Sequence, residues 1–206
     1  MTFSPENLKD QIPYYLTSAL AQKELVENLE AIMGGARSGY YLSASQDAYA
    51  HERLQGDGWR GLPLFSFTSG EKQDVRGILL SNTCDVSPEN DRTLPPQLVF
   101  APIVRLSAIE ARFVARGISP AQVDGKVAAI KQQIATSVFY LPAGGPLEED
   151  YVALLDDVHS VPVSAHENDN KEKLFTLSMA GFYLFVFKLS VHFCRLQENV
   201  DRSPAM

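Results

Sequence analysis

Arg76 and the polar side chains that follow it are the densest set of groups in this sequence able to do chemistry. The run Val75-Arg76-Gly77-Ile78-Leu79-Leu80-Ser81-Asn82-Thr83-Cys84-Asp85 sets a guanidinium before a short apolar strand and polar groups after it. A guanidinium can grip a phosphate with two hydrogen bonds and stabilise charge developing on it. The plainer role for Arg76 is an exposed residue paired with Asp74 or Glu71. Cys84 and Asp85 could set a thiol beside a carboxylate, but a thiol becomes a nucleophile only with a base at hand, usually histidine. His159 and His192 are the candidates for that base; otherwise Cys84 is a half-buried small residue and Asp85 makes an Asx turn before Ser87-Pro88. His159 could also act alone as acid or base near neutral pH, or simply end a strand with its ring hydrogen-bonded.

Other chemistries are not encoded. The sequence has no P-loop, no Gly-x-Gly-x-x-Gly, no Gly-x-Ser-x-Gly and no His-Glu-x-x-His. His192-Phe193-Cys194-Arg195 lacks the paired spacings of a four-ligand zinc site, so neither metal nor cofactor is expected. The acidic clusters Glu148-Glu149-Asp150 and Asp156-Asp157 read as solvated loop ends. Two cysteines without a Cys-x-x-Cys unit predict a reduced, cytoplasmic chain. No basic-then-apolar leader opens the sequence. The most apolar stretch, 179–196, is broken by Gly181, Lys188, His192 and Arg195, which predicts a buried helix and no membrane span. With 18 basic and 25 acidic residues, net charge −7, the chain does not coat nucleic acid by bulk charge, which leaves only a local groove for that role.

The elements that must position these groups follow from periodicity. A first helix carries Asp10 as cap, Pro13 in its first turn and a stripe of Leu16, Leu20, Leu25, Leu29 and Ile32, and stops at Gly34-Gly35. Residues 36–58 read as a polar linker or a wrap anchored by Tyr40-Tyr41-Leu42. Strands are expected at 59–67, 75–82, 97–105, 137–142 and 151–162, with loops at 68–74 and 164–173. Between them, 106–135 is helical: Ser107-Ala108-Ile109-Glu110 and Ser119-Pro120-Ala121-Gln122 have capping-box form, and Val123, Val127, Ile130 and Ile134 make an apolar face. A last helix spans 178–197, with Ser178 as its cap. The order predicts an α+β domain on a small, partly open β-barrel.

In that order, residues 56–197 resemble the PemK/MazF-like toxins. Gly56-Asp57 is similar to the family's opening pair, and 69–76 to its first loop and the arginine that ends it. Residues 77–82, 99–103 and 151–161 are similar to three of its strands. The resemblance implies an SH3-like barrel domain over 56–206 with the 106–135 helical insertion and a C-terminal helix, preceded by an N-terminal helical extension over 1–55. Active members cut single-stranded RNA without metal: an arginine and a hydroxyl act at the scissile phosphate, and the ribose 2′-OH attacks. Arg76 falls on that arginine, while Val104 stands where the hydroxyl is usual and Gly77 where a proline follows the arginine. The hydroxyl would then come from Thr83 or Ser81, with His159 in the basic position of the late strand. Ser81, Asn82, Asp85 and Arg105 would hold the substrate. The implied partners are single-stranded RNA, an antitoxin or regulatory protein, and a second copy docked on the last helix, whose Phe182, Tyr183, Phe185, Val186, Phe187 and Leu189 are too apolar to face water. Two other readings stand beside this one: a non-catalytic SH3-like module that binds a protein or nucleic acid, and a hydrolase dependent on Cys84.

Overall fold

The computed structural model describes residues 19–37, 39–43, 49, 51–67, 69–87, 93–145, 147–167 and 171–193. The expectations for Asp10, Pro13, Leu16 and the end of the last helix lie outside the described residues. Seven strands pair antiparallel: β1 (Gly58–Ser66), β2 (Glu71–Leu79), β3 (Gln97–Arg105), β4 (Val138–Leu141), β5 (Tyr151–Leu154), β6 (His159–Pro162) and β7 (Glu172–Phe175). Five helices accompany them among the described residues: α1 (Ala19–Met33), α2 (Thr83–Val86), α3 (Leu106–Ala115), α4 (Pro120–Lys131) and α5 (Met179–Phe193), with a 3-10 turn at Val163–His166. The fold is therefore mixed α+β. The strand order is β4-β5-β3-β2-β1-β7, and β6 pairs β3 beyond β5. Pairing alone leaves this sheet open, with β4 and β7 at its ends. No helix among the described residues is long and apolar enough to cross a membrane.

Strand alternation sorts the sheet into two faces. Ile78, Ala101, Ile103, Ala153 and Phe139 share one face, where they meet Leu25, Leu29 and Ile32 of α1 and Leu184, Phe185 and Phe187 of α5. Leu79 and Phe100 point to the other and join Trp59, Leu62 and Leu98 in a second core. Trp59 and Leu62 both reach that core because the β1 register slips between Arg60 and Leu62, with Gly61 at φ +81°. Such a bulge suits glycine, which carries no Cβ to oppose a positive φ. The 3-10 turn covers this core with His166, wholly buried edge-on to Trp59 at 5.2 Å. Burial lowers the His166 pKa, so the ring fills this site as a neutral group. Further along the same face, Val152 and Tyr140 pack under Leu106 and Ile130 of the helical insertion.

Several boundaries differ from the sequence expectations for local reasons. Strand β2 begins at Glu71 inside the expected loop, because Glu71, Lys72, Gln73 and Asp74 pair with Ser66, Phe65, Leu64 and Pro63 as a polar two-stranded ribbon. Strand β7 lies partly inside the expected 164–173 loop, where Lys173 and Glu172 pair with Trp59 and Arg60. The 107–110 capping box does not form: α3 starts at Leu106, whose N–H donates to Asp150 O at 2.9 Å, and Ser107 turns to Glu149 instead. The Ser119–Gln122 box does form, with Pro120 at the first position of α4. That helix ends at Lys131 and Gln133 takes φ 60°, so Ile134 falls outside the apolar face and is exposed. The Ser178 cap is present: its Oγ accepts the Gly181 N–H at 3.1 Å.

Two helical glycines should respond oppositely to alanine. A Cβ at Gly181 would press into the Tyr40 carbonyl oxygen, whereas a Cβ at Gly125 meets open space. Gly125→Ala should stabilise by about 0.5–1 kcal/mol and Gly181→Ala destabilise by about 1–3 kcal/mol, read by urea denaturation. Equal shifts for both would contradict the packing of α5 on the 40–41 segment.

Candidate functional site

Arg76 sits on β2 on the face it shares with Ile78, beyond the part covered by α1 and α5. Its Nη1 donates to the Tyr151 hydroxyl, and the guanidinium stands 5.6 Å from the Tyr151 ring centroid. Tyr151 opens β5, and its cross-strand partner on β3 is Arg105. Directly paired residues of a sheet carry their Cβ atoms about 5 Å apart on the same side. The Arg105 guanidinium reaches the same hydroxyl and pairs with Glu149 at 2.8 Å; the Tyr151 bond first, then Glu149, raise its pKa further. Arg60 stands opposite Arg76 on β1 and pairs with Glu172 at 2.7 Å. One sheet face thus carries three guanidiniums, two of them bonded to a single phenol and the third beside Arg76, with Glu149 and Glu172 as outer counter-charges. The Tyr151 side of this group is buried while Arg105 is 60 % exposed, so an anion arriving from solvent meets the arginines first.

The other candidates lie apart from this group. Ser81 follows Arg76 by five positions, roughly 15 Å along a strand. Its hydroxyl accepts Val99 N–H at 2.7 Å and donates to Gln97 O, extending the β2–β3 ladder. Asn82 caps α2, its side chain accepting Cys84 N–H at 3.0 Å. Thr83 Oγ1 accepts Gln55 N–H at 3.0 Å. Asp85 lies in the first turn of α2, and Cys84 beside it is exposed. His159 pairs with Phe100 across β6–β3 and stacks on that ring at 5.6 Å, which puts it on the face opposite Arg76. Its Nε2 meets Asp157 Oδ1 at 3.0 Å. The structure therefore brings Arg76 and Arg105 together and leaves Ser81, Asn82, Thr83, Asp85 and His159 elsewhere. Tyr151 is the member that sequence reasoning passed over, since an aromatic at a strand start reads as core. Gly77 lies under Leu62 and Phe100, where even a Cβ would come within 2.8 and 2.9 Å of their carbons.

Thr83 borders a different feature, a mostly apolar cavity of about 370 Å³ lined by Leu54, Asp57, Thr176, Leu177, Met179 and Phe182 among others. Asp57 is wholly buried, its Oδ2 paired with Lys173 Nζ at 2.8 Å and accepting Leu54 N–H at 2.8 Å. Burial pushes its carboxyl up to about 6, against the opposing pull of Lys173. No group of three or more His, Cys, Asp or Glu side chains among the described residues could hold a metal ion. No family model matches the chain, and no curated protein matches it.

The Asp57 carboxyl titrates higher in the folded state than its ordinary 3.8, so its contribution to stability is full below that value and is lost as pH rises through about 6. Lys173→Met removes the ammonium that holds this shift down. The variant should lose about 3–5 kcal/mol at pH 7.5 and regain part of it at pH 5, where Asp57 carries a proton. Urea denaturation at the two pH values checks this; an equal loss at both would show that the pair does not govern the site.

Proposed function

We propose that this chain is a diverged relative of the PemK/MazF-like toxins and a metal-independent endoribonuclease for single-stranded RNA. The observation that carries the reading is the meeting of Arg76 and Arg105 at Tyr151, with Arg60 alongside. The run β1-β2-β3, the return of β6 onto β3, the 3-10 turn and the pairing of β7 with β1 support an SH3-like arrangement, as an open sheet. The two guanidiniums hold the scissile phosphate and offset the charge that builds on its oxygens. The ribose 2′-oxygen forms a bond to phosphorus as the P–O5′ bond breaks, leaving a 2′,3′-cyclic phosphate and a 5′-hydroxyl. The β1–β2 ribbon carries Phe65 and the 91 % exposed Phe67, ring centroids 5.2 Å apart, with Lys72 opposite Phe65. Exposed aromatics beside a cation suit bases and phosphates of a single strand. A homodimer belongs to the same proposal. Most of α5 is buried in the chain's own core and α1 lies against it, so Met179, Val186 and Phe193 are the large apolar groups its surface offers a second copy.

A non-catalytic SH3-like module is the second reading. It is supported by the engagement of Ser81, Asn82 and Thr83 in backbone hydrogen bonds, which spends the expected hydroxyls on structure. Cleavage of a mixed-sequence, end-labelled RNA in a chelating buffer separates the two. The wild-type chain should yield products, and Arg76→Ala should cut about 10²–10³ times more slowly while melting as a folded protein. Intact RNA with the wild-type chain selects the binding module.

A further inference from the structure

The phosphate site described above lacks the threonine that the resemblance leads one to expect, and Val104, in its place, faces Val152 and the helical insertion rather than Arg76. The hydroxyl groups nearest in sequence do not make up the loss. Ser81 accepts one backbone hydrogen bond and donates another, and Thr83, at the start of α2, accepts the Gln55 N–H. His159 is on the opposite face, beside Asp157. The hydroxyl that touches Arg76 is that of Tyr151.

We propose that the Tyr151 hydroxyl is the general acid of this site, giving its proton to the departing 5′-oxygen; the proposal rests on the reading that the site cleaves RNA. A phenol has two acceptor lone pairs and one proton. Arg76 donates to this oxygen from β2, and Arg105, paired with Tyr151 across β3–β5, also bonds it. Guanidinium has donors only, so neither arginine accepts the phenolic proton. That proton is therefore directed to whatever anion the two arginines bind. A tyrosine so held is placed to touch a phosphate that the two arginines bind, which is the contact a general acid needs.

The step balances without a metal. The 2′-oxygen bonds to phosphorus and its proton passes to water. The P–O5′ electron pair stays on the 5′-oxygen, which takes the Tyr151 proton. The phenolate charge that results forms between two guanidiniums, and water returns a proton to it after the product leaves. Glu149 completes the frame: it holds Arg105 at 2.8 Å and accepts Ser107 Oγ at 3.0 Å, tying the second arginine to the start of α3.

The test compares two RNA substrates, one ordinary and one with sulfur replacing the bridging 5′-oxygen at the cleaved linkage, whose thiolate leaves without a proton. Tyr151→Phe keeps the buried ring and removes only the hydroxyl. It should cut ordinary RNA about 10²–10⁴ times more slowly than wild type and cut the sulfur substrate within a few-fold of wild type. Arg105→Gln, which removes a guanidinium that holds the phosphate, should slow both substrates, in contrast to Tyr151→Phe. A folded Tyr151→Phe that cuts ordinary RNA like wild type, or that is slowed equally on both substrates, overturns the assignment while leaving the ribonuclease reading intact. If Tyr151→Phe does not fold, the wild-type chain decides: a solvent isotope effect on ordinary RNA that persists undiminished on the sulfur substrate overturns the assignment. A wild-type chain that cuts neither substrate removes the ribonuclease reading and this assignment with it.

Discussion

The architecture turns on one missing hydrogen-bond donor in the middle of β3. Val99 exchanges bonds with the β2 side, accepting from Leu80 N–H at 2.8 Å and donating to Ser81 Oγ at 2.7 Å. Alternation then aims the Pro102 nitrogen at the opposite edge, where proline has nothing to give. At that edge the ladder parts: β5 ends its pairing at Ala153 opposite Ile103, and β6 resumes it at His159 opposite Phe100. The chain between them bulges away, and Leu155 turns its N–H to Ser137 O. One long strand thus becomes two, so β5 can follow β4 toward the helical insertion while β6 turns into the 3-10 segment over Trp59.

That division also separates the polar groups. Tyr151 lies on the β5 side of the break, within reach of Arg76, and His159 on the β6 side, against Phe100. Like charges directly opposite each other, such as Arg60 and Arg76, destabilise a sheet unless counter-charges flank them. Glu172 supplies such a counter-charge to Arg60 from the outer strand, and Glu149 supplies one to Arg105 from the loop before β5. A chain acidic overall can therefore present a basic surface at one place, because the sheet register, not the composition, sets which charges are neighbours.

The sequence made legible what depends on local pattern. Residues 98–104 form an uninterrupted apolar run, and the strand around it spans Gln97–Arg105. Ser119-Pro120-Ala121-Gln122 states a helix start in four residues, and the structure has one there. What depends on partners was hidden. Glu71, Lys72, Gln73 and Asp74 have no strand signature, and they are extended because Ser66 to Pro63 lie across from them. Glu172 and Lys173 read as loop and become strand through β1. The candidate site divides the same way. Arg76 was visible as a residue type before an apolar strand, but its contact with Tyr151 spans 75 positions, and no local spacing announces it.

The pairing of β7 with β1 carries a kinetic consequence. Gly58 meets Phe175 across 117 positions, and the Asp57–Lys173 ion pair spans a similar length. Contacts so distant in sequence require a large loop to close before they return any stabilisation, which slows folding. The β1–β2 hairpin can form early from neighbouring residues, but its outer edge stays uncovered until the chain beyond His166 arrives. During that interval Asp57 has no ammonium beside it, and Trp59 lacks one wall of its core. The edge of β1 is thus open to wrong pairing during that interval.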